Sequence, residues 1–180
     1  RADSVDPLDL VVVGGGITGL GVARLATRNG LSVALLERGD LASGASSATS
    51  HMLHGGLRYL EHGRLRLVTE ALRERAAVSR MAPTLVRPTR FLVPLYRGGR
   101  VPPWKLRLGL ALYDGLAAGS GFESHRWLDA PAAHAAERAL ARDGLRGAGR
   151  YVDGVMDDAR VTLAVIRSAA AAGAAVVKRA

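Results

Sequence analysis

The first pattern along the chain is a short, unbroken apolar run, Asp9-Leu10-Val11-Val12-Val13, that ends directly on glycines. A run of this kind predicts a buried strand of a parallel sheet. From Ile17 to Arg28 the apolar residues fall at helical spacing: Ile17, Leu20, Val22, Ala23, Leu25 and Ala26. Asn29-Gly30 supplies the stop, because Gly tolerates the left-handed conformation at a helix end. Leu31 to Leu36 predicts a second strand, closing a βαβ unit that ends at Glu37. Gly39 to Ser50 is rich in Gly, Ser, Ala and Thr and reads as a loop leading into a helix. Leu57 to Met81 has a helical pattern with mixed charges on its outer face, and Ala82-Pro83 stops it. Thr89 to Tyr96 reads as a strand, Pro102-Pro103 as a turn before the apolar stretch Trp104 to Leu116, and Ala130 to Arg142 as a helix. Asp157-Asp158 can cap a helix running to about Ala172. Gly173 ends it, and Ala174 to Val177 reads as one more strand. There is no internal repeat, and the alanine run Ala169 to Ala172 follows from helix propensity.

Between the first strand and the first helix stands Gly14-Gly15-Gly16-Ile17-Thr18-Gly19, which satisfies G-x-G-x-x-G. Alone the pattern is weak. Here it follows a predicted strand, opens a predicted helix, and has an acidic residue at the end of the next strand, which is the dinucleotide-binding context. Gly14 allows the tight turn, and Gly16 lets the backbone approach a pyrophosphate at the positive end of the helix. Gly19 lets helix and strand pack closely. Glu37, about 18 residues after Gly19, is placed to accept hydrogen bonds from ribose hydroxyls and disfavours a 2′-phosphate. FAD and NAD sites share this fingerprint, so it does not choose between them.

Composition narrows the classes. Of the 180 residues, 48% are hydrophobic, enough for a core and against a disordered chain. Cysteine is absent, which excludes disulfides and Cys-based redox or metal chemistry. The first residues, RADSVDP, lack the apolar region of a signal peptide, and no run of about 18 apolar residues predicts a membrane span. The chain opens on Arg1 and stops at Ala180 just after an apolar stretch, so both ends look cut. The net charge of +9 is concentrated. Arg75, Arg80, Arg87, Arg90, Arg97, Arg100, Lys105 and Arg107 fall in a stretch with no Asp or Glu before Asp114. Such a block meets nucleic acid, an anionic membrane or a phosphorylated substrate, or is a solvated surface balanced by acidic residues elsewhere. No recognised nucleic-acid module accompanies it. Trp104-Lys105-Leu106-Arg107-Leu108 after the two prolines fits docking on an anionic membrane surface, and equally a core helix with snorkelling cations. Serine-hydrolase chemistry is unsupported, because Gly44-Ala45-Ser46-Ser47-Ala48 lacks the second glycine of G-x-S-x-G.

The stretches Asp9–Ser50, His54–Arg75 (HGGLRYLEHGRLRLVTEALRER), Met81–Tyr96, Leu112–Gly119 and Tyr151–Val165 carry a resemblance that covers nearly the whole chain in register. It is to the FAD-dependent glycerol-3-phosphate dehydrogenases, within the wider glycine-oxidase and D-amino-acid-oxidase-like flavoproteins. Its most specific part is the serine-rich SSxxS followed by HGGLRYLE. The resemblance implies an α/β, Rossmann-type FAD-binding domain, incomplete here, with the start of an inserted substrate or cap region. On this reading residues 1–80 form the FAD-binding unit and flavin loop, 81–150 the start of the substrate region with the basic block, and 151–180 the returning helix and strand.

The implied cofactor residues are Gly14, Gly16, Ile17, Thr18, Gly19, Glu37, Arg38, Ser46, Ser47, Ser50, His54, Gly55 and Gly56. The competing reading of the serines is an ordinary polar loop with helix-capping hydroxyls. Arg58 and Tyr59 fall on the substrate side, where a guanidinium can hold a phosphate by a bidentate bond. The competing role for Arg58 is a surface ion pair with Glu61. Besides His51, His54 is the histidine of the flavin-side motifs, and it is the candidate base. His51 stands where the family usually has Lys, a change that can alter redox tuning. The H-x-x-H spacing of His51 and His54 has no evident acidic or Cys partner, so no metal site is expected.

The implied activity is oxidation of sn-glycerol 3-phosphate to dihydroxyacetone phosphate, with electrons passed to a quinone. The implied location is the cytoplasm, or the cytoplasmic face of the inner membrane as a peripheral protein. The alternatives are another amine- or amino-acid-oxidising flavoenzyme, or a non-catalytic truncated remnant. The 180 residues alone are expected to hold FAD weakly or not at all, because an incomplete sheet leaves edges unpaired and an apolar face exposed.

Overall fold

The computed structural model describes residues 7–180. Residues 1–6, in the stretch where no signal peptide is read, lie outside the described residues. In chain order the elements are β1 (Leu10–Val13), α1 (Ile17–Arg28), β2 (Val33–Glu37), β3 (Met52–Leu53), α2 (Leu65–Met81) and β4 (Val86–Tyr96). There follow α3 (Pro103–Leu116), β5 (Arg126–Asp129), α4 (Ala130–Ala136), β6 (Leu145–Met156), α5 (Asp158–Ala171) and β7 (Ala175–Lys178). The described residues group into two compact units, one of residues 7–51 with 157–180, the other of residues 52–156. The sequence reading drew its boundaries at residues 80 and 150. The compact units part elsewhere, because β3 pairs with β6 and draws the chain from Met52 onward into the second unit.

The first unit is a parallel sheet in the order β1-β2-β7. Leu10 lies opposite Val33, and Ala34 opposite Ala175. The central strand β2 buries Val33, Ala34 and Leu35 in succession, as a strand flanked on both sides does. Leu20 and Ala23 of α1 and Ile166 and Ala169 of α5 join Val12, Val33 and Leu35 in one core. Leu20 and Leu35 are fully buried, each contributing about 1.5–3 kcal/mol. Alanines at 23 and 169 let α1 and α5 approach, and Arg24 Nε donates to Ser168 Oγ across them at 2.8 Å. Asp157 caps α5, its side chain accepting the Arg160 N–H at 3.0 Å. Toward β1 the packing thins: Val11 and Val13 are exposed, as are Val22 and Leu25 of α1.

The second unit is an antiparallel sheet built on β6, which pairs with β4 on one side and with β3 and β5 on the other. β4 runs beside β6 from Val86 opposite Met156 to Leu95 opposite Gly147. Its prolines, Pro88 and Pro94, are tolerated because β4 has a partner on one side only among the described residues. On α2 the buried positions are Val68, Leu72, Arg75 and Ala76, and on α3 they are Leu106, Leu110 and Tyr113. Both sets have helical spacing and define one inward face each.

Several expectations are corrected. The helix read over Leu57–Met81 is a 3-10 turn, Leu57–His62, followed by α2, because Gly63 takes a left-handed φ of 65° and breaks the helix. The helix read to Arg142 stops at Ala136, where Glu137 is extended and its carboxylate folds back to accept the Ala139 N–H at 2.9 Å. The strand read from Thr89 begins at Val86. Strands β3, β5 and β6 were not anticipated. In β6 the residues Gly147, Gly149 and Gly154 interrupt the alternation that marks a strand.

The basic block is not one surface either. Arg75 is buried against Asp153, Arg90 pairs with Glu123 at 3.0 Å, and Arg107 stacks over the Trp127 ring at 4.5 Å. No described helix is long and apolar enough to cross a membrane.

Candidate functional site

In the first unit, the Gly14–Gly19 turn links β1 to the start of α1. A Cβ on Gly19 would collide with the carbonyl oxygen of Gly14, so helix and turn touch backbone to backbone. The first amides of an α-helix have no acceptor within the helix. In α1 the Ile17 N–H donates to Ser46 Oγ at 2.9 Å, so Ser46 serves as the helix cap that the sequence left open for these serines. The first turn of α1 carries no acidic residue that would repel an anion, and Ile17 and Thr18 are exposed.

Glu37 ends β2, and its two carboxylate oxygens accept the Gly15 and Gly39 N–H groups, each at 2.7 Å. These backbone donors hold its carboxyl below the usual Glu range, so it stays charged. Each oxygen keeps a second lone pair, so a ribose hydroxyl can still donate to it. Arg38 beside it is exposed. Ser47 is exposed, its hydroxyl donating to the Gly44 carbonyl at 3.3 Å, and Ser50 is exposed. A helix N-terminus free of acidic side chains, a glycine turn and a charged carboxylate together fit a dinucleotide's pyrophosphate and ribose.

At the end of the same segment, His51 has φ 57° and is half-exposed. Its N–H donates to Thr49 Oγ1 at 2.9 Å, and its Nδ1 lies 3.0 Å from Asp158 Oδ2. Thr49 Oγ1 donates to the same carboxylate. His51 therefore has an acidic partner, contrary to the sequence reading, in which Asp157-Asp158 served only to cap α5. Among the described residues no group of three His, Cys, Asp or Glu gathers to hold a metal ion.

In the second unit, the His54–Gly56 turn leads into the 3-10 turn that carries Arg58 and Tyr59. Gly55 and Gly56 are buried, while the side chains of His54, Arg58 and Tyr59 are exposed. The two glycines have separate causes. Gly56 takes a left-handed φ of 75° that disfavours a side chain, whereas a Cβ on Gly55 would collide with Leu72 and the Tyr113 hydroxyl. A cleft of about 500 Å3 is lined by His54, Arg58, Tyr59, His62, Tyr151 and Asp153, among others. Glu61 does not pair with Arg58. It is taken by Arg100 at 3.1 Å and Lys105 at 3.8 Å, and Arg58 has no ion-pair partner among the described residues. The Tyr151 hydroxyl is pushed up to about 12 by burial and then by the charge of Asp153, so it remains a neutral donor at ordinary pH.

The sequence reading missed Thr49 and Asp158 around His51, and Tyr113, Asp153 and Arg75 around Gly55. The only available signal was acidic residues, Asp153 and Asp158, next to apolar runs. Nothing in their spacing names their partners.

The sequence pattern of the family described as FAD dependent oxidoreductase matches residues 9–180. The chain belongs to that family. It is 40% identical over 172 residues to the aerobic glycerol-3-phosphate dehydrogenase of Staphylococcus aureus strain USA300, covering 96% of this chain and 31% of that protein. The chain thus spans about a third of the length of such relatives. The glycerol-3-phosphate dehydrogenase of Bacillus halodurans, solved in complex with FAD, superposes with a TM-score of 0.71 at 30% identity, over 98% of this chain and 27% of that one. Glycine oxidase from Geobacillus kaustophilus shares the fold at 24% identity, with a TM-score of 0.63 over 96% of this chain and 46% of its own.

Proposed function

We propose that this chain supplies the FAD-binding turn and part of the substrate side of a dehydrogenase that oxidises sn-glycerol 3-phosphate to dihydroxyacetone phosphate. The observation that carries the proposal is the glycine turn with its charged Glu37, in a chain 40% identical to an aerobic glycerol-3-phosphate dehydrogenase. Gly14, Gly16, Ile17, Thr18 and Gly19 cradle the pyrophosphate, and Glu37 with Arg38 meets the adenosine ribose. Ser46, Ser47, Ser50 and the His54–Gly56 turn line the rest of the cofactor. Bound FAD supplies a two-electron acceptor. Arg58 holds the substrate phosphate by paired hydrogen bonds, with Tyr59 beside it. His54 accepts the C2 hydroxyl proton as that carbon becomes a carbonyl.

The electrons leave to a quinone, which sets the protein at the cytoplasmic face of a membrane. Trp104, Leu108 and Leu112 support this, since they expose an apolar stripe along α3 beside Lys105. Sedimentation with anionic liposomes is expected to carry the protein down, and added salt to release it. Binding that ignored lipid charge and salt would remove the membrane from the reading.

The test of the reaction is anaerobic mixing of an FAD-loaded, full-length version of the protein with sn-glycerol 3-phosphate, with glycine as the comparison substrate. Bleaching of the flavin by glycerol 3-phosphate alone is expected. Bleaching by glycine alone would assign the chain to the amine-oxidising branch. Normal turnover in His54→Ala would move the base elsewhere.

A further inference from the structure

Three side chains that the proposed function leaves without a role converge on one backbone amide. Tyr113 of α3 is 2% exposed, and Arg75 of α2 and Asp153 of β6 are each 1% exposed. The Gly55 N–H donates to the Tyr113 hydroxyl at 2.9 Å and, less directly, to Asp153 Oδ1 at 3.3 Å. The Tyr113 hydroxyl donates in turn to the Asp153 carboxylate, 2.9 Å from either oxygen. Arg75 Nη1 closes the relay with an ion pair to Asp153 Oδ1 and a bond to the Val152 carbonyl at 3.3 Å. The guanidinium lies 3.9 Å over the Phe122 ring, and its Nε has no partner among the described residues.

This arrangement is costly to bury. A carboxylate and a guanidinium have left water, and one buried donor is unsatisfied. Replacing a buried ion pair by apolar side chains of similar volume is often neutral or stabilising, so stability is a weak account of this one. What the polar version adds is direction. Hydrogen bonds in a relay polarise one another and fix the geometry of their end groups. The end group here is the central amide of His54-Gly55-Gly56. No other side chain takes that amide, and a Cβ at Gly55 would collide with Tyr113 and Leu72. The turn is therefore both seated by close approach and drawn in by hydrogen bonds, with the Tyr113 hydroxyl taking part in each.

We infer that Tyr113, Asp153 and Arg75 are positioning residues that hold the His54–Gly56 turn, and with it the start of the segment carrying Arg58 and Tyr59, in the conformation used for the flavin and substrate. Calling that turn the flavin turn rests on the proposed function. The relay itself does not.

The experiment separates the two. Amide hydrogen exchange is measured on the whole chain and on Tyr113→Phe, which removes only the hydroxyl, with Leu95→Ala as a control that destabilises the same unit away from the relay. In the unmutated protein the Gly55 amide is expected to exchange as slowly as the amides of β6. In Y113F the amides of His54–Gly56 are expected to exchange about tenfold faster, while those of α2 and β6 stay within about twofold. L95A is expected to raise exchange across the unit without singling out the turn. Fast exchange at Gly55 in the unmutated protein overturns the inference, even if Y113F fails to fold. So does a Y113F profile that rises evenly or leaves the turn unchanged. The flavin arm then reads FAD release from a loaded full-length version of the protein, expected about fivefold faster in Y113F. A turn that loosens without any change in FAD release or in KM for glycerol 3-phosphate keeps the relay and refutes the assignment of the turn.

Discussion

The Gly14–Gly19 turn and the His54–Gly56 turn are both glycine-rich, and they are held in opposite ways. The first is kept by backbone. Gly19 presses on the Gly14 carbonyl, and the side chains that brace the loop, Glu37 and Ser46, do so by accepting backbone N–H groups near the surface. The second is kept by buried side chains from three distant elements, at residues 75, 113 and 153. A backbone-held turn depends on glycine and tolerates its surroundings. A relay-held turn depends on its surroundings, and a fault in any one member is felt at the turn.

The difference is broken most forcefully at Asp153. Asp153→Leu leaves Arg75 buried without its charge partner and is expected to cost about 3–5 kcal/mol, read by denaturant unfolding of the second unit. A cost near that of an ordinary surface change would show that the pair is hydrated. Next comes Gly19→Ala. Its new Cβ meets backbone, which cannot swing aside, so the turn must open. A loss of about 1–3 kcal/mol is expected, together with loss of FAD retention when a full-length version is dialysed. Retained flavin would mean that the turn relaxes more freely than its packing implies.

The third effect is one of pH. The Gly15 and Gly39 N–H groups depress the Glu37 carboxyl, a group that the folded state keeps charged more readily than the unfolded chain does. Its contribution is therefore present above the ordinary value of 4.5 and is lost as pH falls through the lower folded value. Following the Gly15 and Gly39 amide signals through an acid titration should show them moving together below pH 4.5, and Glu37→Gln should abolish the step. The smallest effect belongs to Arg66→Ala on the exposed flank of α2. Its i,i+4 pair with Glu70 is solvent-facing and should be worth under about 0.5 kcal/mol in thermal unfolding.

The same contrast explains what could be read from sequence. The βαβ unit was legible because its signals are local: an apolar run, a glycine turn, a helical period and an acid at the next strand end all lie within residues 9–37. α1 occupies the span its periodicity predicts, Ile17–Arg28. The HGG motif was legible as a motif, through resemblance, but its support was not. Arg75 looked like one more cation in a basic block, yet it lies on the same inward face of α2 as Val68 and Leu72, which its spacing from them allows. β6 was missed because its glycines stand where neighbours press in, as at Gly149, whose Cβ would meet Leu110 at 2.5 Å. Absence of a side chain, a mark of close packing here, reads in sequence as absence of a strand. His51 lost its partner in the same way, since Asp158 lies 107 residues further on and reaches it only once α5 is in place.

β6 also imposes a parity. Gly149, Tyr151 and Asp153 are two residues apart, so all three present to the same side of the sheet. There Gly149 makes room for Leu110, Tyr151 meets the edge of the Tyr113 ring at 6.0 Å, and Asp153 takes the Tyr113 hydroxyl. Gain or loss of one residue upstream of Gly149 within this strand would either be absorbed in a bulge or turn all three to the opposite side at once. A change of odd length here therefore needs a bulge to keep this face, while substitutions on its other side are judged one at a time. A frame of that kind makes the strand intolerant of small indels even where its residues are not individually chemical.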